Sequence, residues 1–493
     1  MFFALPVFAM SLSPLLNADA LAVNFADLKP PLRLPEALIE AHRCLYCFDA
    51  PCITACPTGI DIPAFIKKIA SANPVGAART ILTANILGAS CARVCPTSVL
   101  CEGACVLDDR DEQPIMIGRL QRFATDYIAE RGLNVLPGPP SQKSGKKIAI
   151  IGAGPAGLGC AAELAQLGHS VTIFEKQKQA GGLNTYGIAY YKMKPQVSLA
   201  EVELVKSLGV ELRTGVAVGK DITIAQLEKD FNAIFIGVGL GAATKLRIPG
   251  EDLPEVVDAL DFIAKIHTDR LETIPTGRCV AVIGAGNTAI DAVTQSKRLG
   301  ADRAFIVYRR AEGDMSAYDF EYAHAKDDGA QFIFHALPVE VVATNGHVSG
   351  LKLIRTRLVG GKAEPIPGTE FVEACDMVLK AVGQQKQVKL IKSLFPSLTV
   401  DDRGVISHDK LTGQTNVPHI FCGGDCGNGG REVVNAVGEG KKAAHGIHAY
   451  LTGGRASPPI QPSRLGAKQG ASGSGLLNPI RAHELEAAMI KTK

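Results

Sequence analysis

A helical, cysteine-rich N-terminal domain joined to an α/β region with two dinucleotide-binding units is the fold class this sequence predicts, on three observations. Eight of the thirteen cysteines fall between Cys44 and Cys105. Two glycine fingerprints, at Gly152 and Gly284, each follow a short apolar run of strand type. At Lys146 the hydrophobic pattern changes from spacings of three and four to short buried-type runs.

Length and charge bound the answer. At 493 residues the chain allows about three domains, each able to bury its own core. With 52 basic against 49 acidic residues there is no basic footprint for nucleic acid. Met1 to Ala20 is apolar but has no Lys or Arg ahead of the apolar run, so it reads as a loose leader in a cytoplasmic protein. No other stretch reaches the roughly 20 apolar residues of a membrane span, so no membrane partner is expected.

The cysteines come in two runs, Cys44, Cys47, Cys52 and Cys56, then Cys91, Cys95, Cys101 and Cys105, with a proline after Cys56 and after Cys95. Close thiolates at such spacings suit soft metals, and the first run has the form in which a last cysteine serves a second iron–sulfur cluster. Zinc knuckles would more often show matched C-x2-C pairs, and only Cys44 and Cys47 make one. A disulfide framework suits small secreted domains short of core, which this chain is not. Two 4Fe-4S clusters are the expectation, and spacing does not say which cysteine serves which cluster.

Around the cysteines the pattern is helical. Phe65, Ile66 and Ile69, then Val75, Ala78, Ile81 and Leu82, recur at three and four, with Asp61 as a candidate cap and Pro63 in the first turn. The first domain spans 1–140, and the Pro- and Ser-rich residues that follow are a linker.

Lys147 to Ile151 then runs into Gly152-Ala-Gly154-Pro155-Ala156-Gly157, and Val171 to Phe174 forms a second strand with Glu175 at its tip. Such glycines admit a pyrophosphate to a helix N-terminus, and Glu175 can accept ribose hydroxyls. The unit repeats at Gly284-Ala-Gly286-Asn287-Thr288-Ala289, with alanine in the third glycine position. Two dinucleotides are therefore expected. The following strand ends in Tyr308-Arg309-Arg310, where arginines on the generic rule favour a 2′-phosphate. Glu312 and Asp314 stand close by and would repel one.

Further motifs carry a resemblance. Gly181-Gly182-Leu183, the glycines Gly237 and Gly239 that close a later strand, and Gly423-Gly424-Asp425 resemble the FAD domain of two-dinucleotide flavoproteins. In that superfamily the aspartate, here Asp425, holds the ribityl chain. A helix beginning near Glu432 would aim its positive end at the flavin. The resemblance implies a discontinuous FAD domain at 146–276 and 402–452 and an NAD(P) domain at 277–401, while the shift to Gly, Ser, Pro and Ala after Leu451 reads as a disordered tail at 453–493 with a short helix at 482–491. Cys422 and Cys426 are one residue too far apart for a thioredoxin-type pair.

Residues 44–121 are in turn similar to the cluster domain shared by dihydropyrimidine dehydrogenase and the glutamate synthase small subunit. The resemblance assigns Cys44, Cys47, Cys52 and Cys105 to one cluster, and Cys56, Cys95, Cys101 and Gln121 to the other. Glutamine at that place is the dehydrogenase's residue, where the synthase subunit has glutamate, and Cys91 becomes the spare thiol. Lys192 falls where the animal dehydrogenase has a basic FAD contact. The NADP-using relatives carry an extra arginine at the places of Ser316 or Asp319, so the expected nucleotide is NADH rather than NADPH.

The whole thus resembles an α/β two-dinucleotide-binding flavoprotein with an N-terminal all-α iron–sulfur domain, the electron-input subunit of a two-subunit bacterial dihydropyrimidine dehydrogenase. It implies FAD, two 4Fe-4S clusters and a separate partner subunit carrying FMN and iron–sulfur centres. The 42 residues after Leu451 cannot form the barrel of about 250 residues where a pyrimidine would react. No nucleophile or general base is expected. The rivals are a glutamate synthase or ferredoxin-linked transhydrogenase subunit, and a non-catalytic iron–sulfur scaffold.

Overall fold

A computed structural model describes residues 15–108 and 112–454. The expected tail, from 455 onward, and the first fourteen residues of the expected leader lie outside the described residues.

Short helices build the first domain, and each starts where its sequence supplies a cap. Asp61 accepts a hydrogen bond from Ala64 N (3.1 Å) at the head of Ile62–Ala70, and Asn73 does the same for Gly76 N (2.8 Å) at the head of Pro74–Ala84. The apolar stripes of these helices meet those of Ile117–Ala129 in a core of Phe65, Ile66, Ile69, Ile81 and Leu120. Burying such a side chain contributes roughly 1.5–3 kcal/mol. The same core runs on into Ile148, Leu158 and Val437 of the next domain, so the cluster domain is fused to its neighbour rather than tethered. Glu201, on Pro195–Ser207, reinforces the joint by accepting from Ala89 N (2.8 Å) and Ser90 N (2.9 Å) at the head of Gly88–Val94.

The strands of the α/β region, in chain order, are β1 (Lys147–Ile151), β2 (Ser170–Glu175), β3 (Glu211–Thr214), β4 (Ala233–Ile236), β5 (Val256–Asp258), β6 (Cys279–Ile283), β7 (Arg303–Val307), β8 (Gln331–Ile333), β9 (Ala336–Thr344), β10 (His347–Val359), β11 (Lys362–Glu373), β12 (Met377–Lys380) and β13 (Ile420–Cys422). One parallel sheet has the order β13-β4-β1-β2-β3, a second β5-β12-β6-β7-β8, and β9 to β11 form an antiparallel sheet beside the second. In each parallel sheet the glycine fingerprint follows the central strand, β1 or β6. The chain order reverses at these strands, and such crevices receive ligands.

Three expectations are corrected. The second domain starts before residue 277, because β5 pairs with β12 and the helix Ala259–Thr268 packs on the second sheet's core. The chain is back in the first unit before residue 402, since Ile391, Phe395 and Leu398 pack with Phe174 and Ile234. The end of the leader is not loose. Asn17 caps a helix at Ala18–Asn24, whose Leu21, with Phe25 just after it, is buried in the second unit, while Arg298 donates to Asn24 O (2.7 Å). An Asx cap and two apolar residues suffice there because the second unit offers them a core.

Candidate functional site

The eight expected ligands sort into two cavities. One is lined by Cys44, Cys47, Cys52 and Cys105. The other is lined by Cys56, Cys95, Cys101 and Gln121, and also by Cys91. Burial, with the neighbouring thiols, pushes Cys44 up to about 11 and Cys52 up to about 12. Four thiols around one cavity ionise together only around a cation, which is what a cluster supplies. Among the described residues no three Cys, His, Asp or Glu side chains are grouped as for a single ion. The thiols are instead spread around a cavity, the arrangement that fits a cluster of several irons. In the second cavity the amide nitrogen of Gln121 donates to Gly88 O (2.7 Å), which leaves its oxygen as the available donor atom, while the Cys91 thiol is hydrogen-bonded with Cys95.

The first glycine turn is built for close backbone approach. Gly152 has φ 101°, and a Cβ there would stand 2.5 Å from Gly237 O, while one on Gly157 would stand 2.0 Å from Gly152 O. Gly154 differs: an added Cβ would find nothing closer than Gly182 Cα at 4.0 Å, so the space above the head of Pro155–Gln166 is open. Ala156 flanks that turn, and a Cβ on Gly424 would come within 2.8 Å of its own. Gly239, at φ 64°, also faces open space. Glu175 is buried at the tip of β2, each carboxylate oxygen taking one backbone N–H at 2.8 Å, from Ala153 and from Gln177. A lone pair remains on each for a ribose hydroxyl. Asp425 accepts from Arg431 N (3.2 Å), and its burial raises its pKa. These residues fit FAD.

The second turn opens onto a cavity of about 640 Å³, lined by Gly284, Gly286, Asn287, Thr288, Tyr308 and Arg309. Ala289 is fully buried and packs the helix Asn287–Arg298 onto the sheet. Arg309 lines the cavity and Arg310 does not; the Arg310 Nε is buried without a hydrogen-bond partner. Ser316 also lines it, whereas Asp319 sits exposed in the first turn of Asp319–Asp327. The Tyr308 hydroxyl donates to Asp314 O (2.7 Å), which keeps the acidic turn beside the cavity. Ser316→Arg, rather than a change at Asp319, is therefore the informative variant. We expect NADH to reduce the unmodified protein with a kcat/KM at least about tenfold above NADPH, and Ser316→Arg to narrow that ratio. Stopped-flow flavin reduction measures both, and faster reduction of the unmodified protein by NADPH would reverse the assignment.

A cleft of about 200 Å³ lies where the three domains meet. Leu183 lines it, beside Gly182, which turns the chain at φ 58°. Lys192 lines it too, but its ammonium is already held by Asp291 (2.5 Å) and Glu321 (2.6 Å) of the second unit. Burial alone would lower Lys192; the two carboxylates outweigh it and leave the pKa raised. Asp291 stands inside the second fingerprint, but nothing in the sequence pairs it with Lys192.

The four cavities form a row with shared walls. Leu260, Asn287, Thr288 and Gln384 line both the nucleotide cavity and the cleft. Cys95 lines both the cleft and the second cysteine cavity. Adjacent residues of the helix Val433–Thr452 do likewise, Val433 on the cleft and Val434 on that cavity. Ile62 lines both cysteine cavities. Cys422 and Cys426, off this row, are buried free thiols, with Cys426 Sγ donating to Ile236 O and Gly423 O at 3.4 Å.

Comparison with known proteins follows the same division. Residues 21–133 match the family described as dihydropyrimidine dehydrogenase domain II, 4Fe-4S cluster, and residues 146–440 match the pyridine nucleotide-disulphide oxidoreductases. The chain is 36% identical to the NAD-dependent dihydropyrimidine dehydrogenase subunit PreT of Escherichia coli, over 87% of this chain and 98% of that protein. It is 35% identical to the glutamate synthase [NADPH] small chain of Halomonas elongata, over 87% and 94%. It is 36% identical to the NADP(+)-dependent formate dehydrogenase subunit beta of Moorella thermoacetica, over 84% of this chain but only 61% of that longer protein. Among solved structures, Mycobacterium tuberculosis FprA in complex with NADPH matches at 20% identity with a TM-score of 0.52, over 70% of this chain and 89% of that one. That likeness is one of fold.

Proposed function

The chain belongs to the pyridine nucleotide-disulphide oxidoreductase family, with a 4Fe-4S domain of the dihydropyrimidine dehydrogenase type, and on that premise we propose that it is the electron-input subunit of a pyrimidine-reducing enzyme. It is an electron-transfer oxidoreductase subunit that uses NAD(P)H, FAD and 4Fe-4S clusters. The reduction of uracil or thymine would take place on a partner subunit with FMN and its own iron–sulfur centres, and the pair would work in the cytoplasm.

One observation carries the reading: Cys95 belongs to both the cleft and the second cysteine cavity, so the cleft that opens from the second nucleotide cavity adjoins the cluster site. FAD, when bound, supplies the conversion of hydride transfer into single-electron transfer. The side chains position and tune. Gly152 and Gly157 let the turn and its helix pack closely, Gly154 leaves room for a pyrophosphate at the helix head, and Glu175 would orient the ribose. Asn287 and Thr288 line both the nucleotide cavity and the cleft, so a nicotinamide held there would reach the cleft. Leu45 and Phe48, both well exposed beside the outer cysteines, offer an apolar edge where electrons would leave. What supports the pyrimidine branch over the glutamate synthase branch is Gln121, an amide where the synthase subunit has a carboxylate.

Co-expression with candidate partners tests the proposal. A complex with an FMN barrel subunit that consumes uracil with NADH is the expected result. A complex that instead forms glutamate from glutamine and 2-oxoglutarate would move the chain to the synthase branch.

A further inference from the structure

Glu432 stands at the head of Val433–Thr452, in the N-cap position from which a side-chain oxygen can accept from the helix's own first N–H groups. It makes no such bond. Its Oε1 instead accepts from the Tyr318 hydroxyl of the second unit at 2.7 Å, across the cleft that both residues line. Tyr318 is fixed in turn. Its N–H donates to Asn287 Oδ1 (3.1 Å) in the second glycine turn, and its ring stacks on Phe320 at 5.5 Å and 8°. The Lys29 ammonium lies over Phe320, 5.6 Å from the ring centre. Burial and the bond to Glu432 both keep the phenol protonated, so the hydroxyl is the donor.

The consequence is electrostatic. A twenty-residue helix presents a partial positive charge at its first turn, strongest where no side chain satisfies the exposed N–H groups. Tyr318 draws the carboxylate away from that turn and leaves its positive end open to the cleft. We propose that Tyr318 and Glu432 set the reduction potential of the bound flavin, Glu432 through its charge and Tyr318 as a positioning residue acting through Glu432. The inference rests on the reading that the FAD ring occupies this cleft. A carboxylate at the helix head disfavours the extra negative charge of a reduced flavin, and the tyrosine limits that penalty.

The two residues therefore act with opposite sign. Spectroelectrochemical titration of FAD in the full-length chain should show the midpoint moving up in Glu432→Gln, which keeps a hydrogen-bond acceptor but removes the charge. It should move down in Tyr318→Phe, which keeps the ring stack but frees the carboxylate to return to the helix head. The double variant should follow Glu432→Gln, since without the charge the hydroxyl has nothing to hold. A tie that merely steadied the two domains would leave both midpoints in place. Unmoved midpoints, or shifts of the same direction in both single variants, overturn the proposal while leaving the FAD reading intact. A full-length chain that binds no FAD would overturn both.

Discussion

A Gly154→Val variant is expected to purify folded, with its iron, and without flavin. Gly154 has an ordinary φ of −77°, and an added Cβ meets no protein atom closer than 4.0 Å, so the side chain costs the fold little. It would fill the space above the first turn of Pro155–Gln166, where the backbone N–H groups would otherwise face a pyrophosphate. Flavin content should fall from about one FAD per chain to nearly none, while iron stays at about eight per chain. Gly157→Ala is the contrasting case. Its Cβ would come to 2.0 Å from Gly152 O, so that variant should lose thermal stability as well as flavin. Gly154→Val retaining full flavin would mean that the glycine turn is not the binding cradle.

The second large effect separates Gln121 from Cys91. Both line the second cysteine cavity, and eight cysteines would be enough for two all-cysteine clusters. The family resemblance and the free amide oxygen both point to Gln121. Cys91→Ser should keep about eight irons with nearly unchanged spectra, and Gln121→Ala should lose about four on exposure to air. Gln121→Cys should keep the cluster and lower its potential, because a thiolate adds the negative charge that a neutral amide lacks. Iron analysis and EPR on the three variants read this out. Loss of four irons from Cys91→Ser, with Gln121→Ala silent, would show an all-cysteine ligand set and remove the main support for the pyrimidine branch.

Much of this architecture was legible because its signals are local. A strand, a glycine turn, a helix and an acid at the next strand tip lie within about 30 residues, so Gly152 to Glu175 declares itself, as does Gly284 to Ala289. The helical periods at Phe65 and Ile81, and Asp61 as a cap, are local too. What stayed hidden depends on contacts between distant residues. Val256–Asp258 is too short to show a period, and only its pairing with β12 places it in the second unit. Lys192 reads as a free cation until Asp291 and Glu321 are brought to it. Tyr318 and Glu432 are 114 positions apart, and although a helix start is legible near Glu432, nothing in the sequence pairs the two. The apolar start of the chain resembles a leader because the second-unit core that accepts Leu21 and Phe25 is assembled from residues far downstream.

The central claim is that the four cavities form one conduit, from nucleotide through flavin to the clusters. Freeze-quenched EPR after mixing NADH anaerobically with the full-length protein tests it most directly, with flavin absorbance followed in parallel. The account predicts flavin bleaching followed by the signal of a reduced 4Fe-4S cluster, with no partner protein added. Flavin that bleaches fully while both clusters stay oxidised, at cluster potentials that dithionite shows to be accessible, would contradict it.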